Sequence, residues 1–266
     1  MAQRPPGKRP PRPGKRERGS AGTAEQQSRR PTAGPRPSAD PRLPDGVSWF
    51  DLDFSARREL QGLPKELAER VGGQLAAAGL VIDDDPAAAY SHAACARRLA
   101  SRVAVTREAL GLAAYAVGKF DQALAELRAH RRLSGDDSHL PLVADCERGL
   151  GRPERALELA SSAAARRLDA AGRRELRLVV AGTRADMDQP DAAVLLLEQD
   201  PGLRNDDIDE SLVRLRYAYA DALLRLDRAQ EATEWFSLVN DQDTNEITDS
   251  AERLQELANL SEGIGG

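Results

Sequence analysis

Small residues recur through this chain at an interval that few architectures use. Ala89, Ala123, Ala156, Ala193 and Ala232 fall into one register, separated by 34, 33, 37 and 39 residues, and Ala77, Gly111, Ala144, Ala181 and Ala220 each stand twelve positions earlier. Two helices reach the short end of the roughly 8–10 Å interaxial range only where neither carries a bulky side chain. Four positions after the aligned alanines come Ala93, Leu127, Ala160, Leu197 and Phe236, one turn further along the same helix face. Pro86, Pro153 and Pro190 stand where the second helix of each hairpin would start, the position that proline tolerates best. The period therefore predicts stacked helical hairpins.

Composition agrees with helix. Aromatic residues make up only 4% of the 266 residues, too few together with the scarce Val, Ile and Thr for a large sheet, whereas Ala, Leu, Arg and Glu dominate. Breaks between helices are expected at Gly79–Pro86, Val117–Phe120, Ser134–Ser138, Gly149–Pro153, Ala170–Gly172, Asp188–Pro190, Pro201–Asp207, Asp227 and Asn240–Asn245.

At these residues the sequence resembles the tetratricopeptide repeat family, whose 34-residue unit is an antiparallel helix pair with small residues at the crossing. The best unit runs from Ala104 to Asp136 and carries Leu110-Gly111, Tyr115, Gly118, Phe120, Ala123 and Leu127. The next keeps Gly151, Pro153, Ala156 and Ala163 but has Glu147 where an aromatic residue is usual. His130 and Asp200 occupy a normally small site, and the family's tryptophan and closing proline are missing. The resemblance covers about Arg70 to Glu246. It implies an all-α fold, an α-solenoid of about five antiparallel helix-turn-helix repeats with a C-terminal capping helix; a plain helical bundle is the alternative.

Four segments follow. Residues 1–46 read as a disordered basic tail rich in Pro, Arg and Gly; residues 47–69 hold an aromatic clip and the start of the first helix; residues 70–247 hold the repeats; residues 248–266 hold the cap and a C-terminal tail. Trp49, Phe50, Leu52 and Phe54 form the clip, which either packs on the first repeat or docks into a partner as a short linear motif. In the cap, Ala251, Leu254, Leu257 and Ala258 follow the spacing of one face, while Glu252, Arg253 and Glu256 are expected to face water.

Charge is uneven. The first 47 residues hold 11 Lys+Arg against 4 Asp+Glu, a charge of +7, which leaves −12 of the net −5 for the remainder. Such a tail can touch nucleic acid, an acidic partner or the acidic body itself. Arg97-Arg98, Arg131-Arg132 and Arg166-Arg167 stand near the ends of second helices, where they either complement the helix dipole or form a basic stripe. Without an apolar export segment or a run of about 18 apolar residues, the chain is expected in the cytoplasm, off the membrane, with Cys95 and Cys146 as reduced, buried thiols.

No catalytic, cofactor or metal site is expected. The sequence contains no phosphate-cradling glycine loop, serine elbow or metalloprotease helix signature, and Gly72-Gly73 lies inside a helical pattern. Among the three histidines, only His92 stands near a cysteine at metal-like spacing, with Cys95, and one pair does not make a site. Asp83-Asp84-Asp85 and Asp206-Asp207 read as acidic loops beside helix starts.

The resemblance implies instead a protein or peptide partner, held in a concave groove lined by first helices. Carried over repeat by repeat, the groove positions are Glu108, Leu112 and Tyr115, then Asp145 and Arg148, then Glu175 and Leu178, then Arg214, Tyr217 and Asp221. Tyrosine and arginine supply much of the binding energy at interfaces. Some family members clamp a partner's C-terminal carboxylate with Lys and Asn at set positions; Glu108, Leu112 and Asp145 stand there instead. The alternative function is an RNA- or DNA-associated factor using the basic tail, against which stand the acidic body and the absence of tail aromatics for base stacking.

Overall fold

The computed structural model describes residues 40–263, which form helices and connecting turns with no strand among them. A 3-10 turn at Trp49–Asp51 precedes α1 (Phe54–Leu60), α2 (Lys65–Val81), α3 (Pro86–Leu99), α4 (Ala104–Ala116), α5 (Phe120–Ser134), α6 (Leu140–Gly149) and α7 (Pro153–Ala160). Then come α8 (Ala163–Arg167), α9 (Ala170–Asp186), α10 (Pro190–Glu198), α11 (Glu210–Leu224), α12 (Ala229–Gln242) and α13 (Ser250–Gly263). Helices pack in chain order: α2 with α3, α4 with α5, α6 with α7, α9 with α10 and α11 with α12, each pair then meeting the first helix of the next, and α12 meeting α13.

The small residues sit at the crossings. Ala77, Ala89, Ala123, Ala144, Ala156, Ala220 and Ala232 are wholly enclosed. At Gly111 the fit leaves no room for a side chain, since a Cβ there would lie 2.7 Å from Cδ2 of Leu127 on α5. Leu127 is itself buried, a burial that stabilises the pair by about 2 kcal/mol. The apolar core is divided into clusters strung along the chain, one for each group of neighbouring helices.

Four of the pairs turn in the same way. Gly118, Gly151, Asp188 and Asp227 all have positive φ, 72°, 70°, 58° and 58°, and each stands five residues ahead of an aligned alanine. A left-handed residue beyond a helix lets the next N–H bond back to a free carbonyl. Accordingly, the N–H of Lys119 donates to the Ala114 carbonyl (2.8 Å), Arg152 to Glu147 (2.9 Å), Gln189 to Arg184 (2.9 Å) and Arg228 to Leu223 (3.1 Å). Glycine takes this conformation without steric cost and aspartate tolerates it. The α2–α3 turn is different, with the Asp85 N–H on the Val81 carbonyl at 2.7 Å and no left-handed residue.

Helix starts follow the sequence. Pro86, Pro153 and Pro190 open α3, α7 and α10, and the carboxylates of Asp53, Asp85, Asp169 and Asp209 accept backbone N–H groups at the starts of α1, α3, α9 and α11. Three expected breaks are displaced, Asn240–Asn245 among them because α12 runs on to Gln242. Gly79 lies inside α2, and Ala170–Gly172 form the first turn of α9 because the chain stops one step earlier, at the Asp169 cap. A break that the sequence reading did not foresee falls at Ser161–Ser162, where α7 ends and Ser162 caps α8. The extended connection before α11 is gathered by the buried Arg216, which donates to the carbonyls of Asn205 (2.7 Å) and Asp207 (3.2 Å).

At the other end, contacts start ahead of Val47. Asp40 pairs with Arg70 on α2 and Arg98 on α3, and Gln74 Nε2 donates to the Pro41 carbonyl at 2.9 Å. The glycine pair of α2 makes room for this segment: a Cβ at Gly72 would meet Trp49 Cβ at 2.9 Å, and one at Gly73 would meet Leu43 at 2.9 Å. Residues 40–46 thus belong with the packed helices, whereas the remainder of the expected tail lies outside the described residues. In α13, Leu254 and Leu257 pack on the α9–α12 cluster, and Arg253, expected to face water, reaches back to Asp221 at 3.4 Å.

Candidate partner-binding face

The ten groove residues carried over from the sequence all lie on first helices: α4 holds Glu108, Leu112 and Tyr115, α6 holds Asp145 and Arg148, α9 holds Glu175 and Leu178, and α11 holds Arg214, Tyr217 and Asp221. Arg214 is exposed and the other nine are half-buried. Their polar members are joined from helix to helix. Glu108 Oε1 lies 2.6 Å from Nε2 of His139 at the start of α6, and the Tyr115 hydroxyl donates to Asp145 Oδ2 at 2.5 Å. Arg148 donates to Asp145 (2.8 Å) on its own helix and to Asp186 (2.8 Å) at the end of α9. Arg214 donates to Glu175 at 2.7 Å, Tyr217 to Asp249, and Arg253 of α13 to Asp221 at 3.4 Å. Leu112 and Leu178 pack against neighbouring apolar clusters.

These bridges make one polar ladder from α4 to α13. Burial pushes the Tyr115 hydroxyl above its usual pKa, and the Asp145 carboxylate that accepts its proton reinforces the shift. The same two causes raise Tyr217, with burial first and Asp249 as the acceptor. Both tyrosines therefore stay protonated donors at neutral pH. Such a face presents fixed donors and acceptors rather than an unoccupied pocket.

Comparison with known proteins finds no family model that matches the chain and no curated protein that aligns with it. The face must be judged on its own chemistry. No helix among the described residues is long and apolar enough to cross a membrane.

Beside α1 the chemistry changes. Leu52 and Trp49 turn inward, toward α2 and its neighbours, while Phe50 and Phe54 remain 69% and 70% exposed, so the clip both packs on the first helix pair and displays two aromatic rings. A cavity of about 220 Å3 lies where Leu52 and Ala56 meet Leu75, Ile82, Leu112 and Glu108. A larger open pocket, about 380 Å3, follows the break between α7 and α8, with Arg166, Arg173 and Arg184 around Leu157, Leu176 and Val180.

Four of the six paired arginines are held by carboxylates, while Arg132 is exposed and Arg166 donates to the Ser161 carbonyl at 3.3 Å. Arg97 pairs with Glu126 at 3.0 Å, Arg98 with Asp40, and Arg131 and Arg167 share Asp137. His92 and Cys95 do not converge, because His92 Nδ1 donates to Gln74 Oε1 at 2.8 Å while Cys95 lies beside Asp40 and Arg98. Both cysteines are free, buried thiols, and burial pushes that of Cys146 up to about 12. The sequence reading missed a different cluster, Glu108, His130 and His139, because its members stand on three elements and no local spacing links them.

Proposed function

We propose that the protein is a non-catalytic scaffold of the tetratricopeptide kind, working in the cytoplasm. In this reading the five helix pairs form an α-solenoid capped by α13, and the face of first helices receives a peptide or helix of a partner protein. Two repeated features support the family: the enclosed small residues at each crossing, and the turn bond shared by four pairs. The binding reading is carried by the ladder that links Tyr115, Asp145, Arg148, Glu175, Arg214, Tyr217 and Asp221. Side chains already held in one rotamer lose less entropy when a partner docks, which favours a polar face of this kind as a recognition surface. Phe50 and Phe54 offer an aromatic anchor at one end of it.

Nucleic-acid binding remains the competing function, through the tail's positive charge. The carboxylates on Arg98, Arg131 and Arg167 count against any help from the folded helices. Affinity capture separates the two, with the full chain and a version lacking residues 1–39 as baits. A protein retained by both baits at 0.5 M salt (~3 Å Debye length at 1 M, so exposed charge is screened), and lost with Arg214→Glu, is the expected result. Repeated failure of the shortened bait to retain any protein ends the scaffold reading. RNA or DNA retained only by the full chain, and released steeply with salt, replaces it with the alternative.

A further inference from the structure

Three ligand-bearing side chains meet where the α4–α5 pair joins α6. Glu108 comes from α4, His130 from the last turns of α5, and His139 from the residue before α6; each offers one ligand atom, and these atoms all lie within 4.8 Å of one another. Glu108 Oε1 and His139 Nε2 are already 2.6 Å apart. The two imidazole rings meet edge to face, with centroids 5.5 Å apart.

The tautomer of His130 is set by its surroundings. Its Nδ1 lies 3.2 Å from the Ala104 carbonyl, which can only accept, so in the neutral ring Nδ1 carries the proton and Nε2 carries the lone pair. A ring N–H given to a backbone carbonyl is the outer partner that metal-bound histidines habitually have, and it orients the other nitrogen toward the ion. Near that nitrogen stand Ser134 Oγ at 3.3 Å, whose proton is also within reach of the His130 carbonyl (3.0 Å), and Asp136 Oδ2 at 3.9 Å. A cavity of about 30 Å3 adjoins both rings and Asp136, with Asp137, Arg128 and Arg131 also in its wall and Glu108 outside it. That is room for one ion or water and too little for an organic ligand.

We propose that Glu108, His130 and His139 form a binding site for a divalent metal ion of the zinc class. Two imidazole nitrogens and a carboxylate oxygen are the donors that zinc accepts, at about 2.0–2.2 Å each, which sets tetrahedral ligand atoms about 3.3 Å apart. Closing around the ion therefore moves these side chains by roughly an ångström, within the freedom of the half-buried Glu108 and His139. The fourth position falls to water or to Asp136, whose carboxylate would complete charge neutrality with Glu108. Bound there, the ion staples α4, α5 and α6 together and makes the junction between two helix pairs depend on metal.

The chain's three histidines make the test clean, since His92 lies elsewhere and serves as the control. Untagged full-length protein, stripped with chelator, is titrated with zinc chloride by calorimetry and with cobalt(II) by visible absorption. One equivalent of zinc, a rise in melting temperature, and the intense absorption of four-coordinate cobalt are expected. Glu108→Gln and His139→Asn, both at half-buried positions that leave the core intact, should each weaken zinc binding at least tenfold, while His92→Asn should leave it unchanged. The proposal is overturned if the unaltered chain takes up no stoichiometric zinc. It is equally overturned if the Glu108 and His139 variants bind as well as the parent, or if His92→Asn loses binding as they do.

Discussion

The α4–α5 pair and the α6–α7–α8 segment share one register of small residues and the same left-handed turn, yet only the first closes fully. In α4–α5, Gly111 admits Leu127, Phe120 begins a helix of fifteen residues, and Gly135 ends it in the left-handed conformation at φ 76°. In the second, α7 lasts eight residues and the chain restarts as the five-residue α8. Ser161 donates its hydroxyl to the Leu157 carbonyl at 3.2 Å and Ser162 accepts the Ala165 N–H at 3.3 Å. Serine side chains that bond the local backbone give the chain an alternative to continuing the helix. What distinguishes the segments is therefore the chemistry at the far end of the second helix; the crossing itself has its small residues buried in both, Gly111 and Ala123 in the first and Ala144 and Ala156 in the second.

The largest expected effect comes from blocking the closed crossing. Gly111→Leu puts side-chain atoms where Leu127 lies, and the Leu127 backbone nitrogen, 3.3 Å from the added Cβ, limits how far α5 can retreat. A loss of about 3 kcal/mol in chemical denaturation is expected, the upper part of the usual range for overpacking. Gly182→Ala in α9 is the control, because its Cβ would meet only the end of Arg148, at 3.7 Å. There the helix preference of alanine should prevail and stabilise by up to about 1 kcal/mol. Equal losses at the two sites would show that close approach at Gly111 is not what closes the pair.

The buried Glu147 sharpens the comparison at the boundary between the segments. It is wholly enclosed, and its carboxylate is shared by Arg128 of α5 and by Arg152, at 3.3 Å, from the turn into α7. Losing the sole partner of a buried charge costs about 3–5 kcal/mol. Arg128→Met removes one of two partners while keeping the apolar stem, so about 2 kcal/mol is expected. Adding Glu147→Met should recover most of it, since the unpaired charge is then gone. If the double variant is less stable than Arg128→Met alone, the ion pair stabilises this boundary beyond compensating its own burial.

Crossings and turns were legible because their requirements are local and repeated. Gly111 and the aligned alanines announce close approach by size alone, and Pro86, Pro153 and Pro190 announce helix starts by what proline lacks. Asp188 and Asp227 were legible as breaks, though their left-handed backbone, standing in for Gly118 and Gly151, was not read from the sequence. Three features were hidden because they depend on residues brought together only by packing. Asp40 reads as part of a polar tail until Arg70 and Arg98 converge on it. The groove positions were read as one face of the first helices, but their pairing into a ladder joins side chains of different helices that no local spacing links. Glu108, His130 and His139 share no spacing that a single helix could produce.

The smallest effect tests whether the serine pair alone opens the second segment. Replacing Ser161 and Ser162 together by alanine removes the α8 cap, worth about 1 kcal/mol, and restores roughly 0.5 kcal/mol of helix preference at each position. These changes offset one another, so stability should move by less than about 0.5 kcal/mol while residues 161 and 162 join α7 and α8 into a continuous helix. Circular dichroism should rise by the signal of those few residues, and their amides should gain protection from hydrogen exchange. A loss well above that margin, without added helix, would mean that the restart is imposed from outside, by Ala164, Ala165 and Leu168 packing with Leu176 of α9. Tertiary contact would then rank above local serine chemistry in setting where this helix stops.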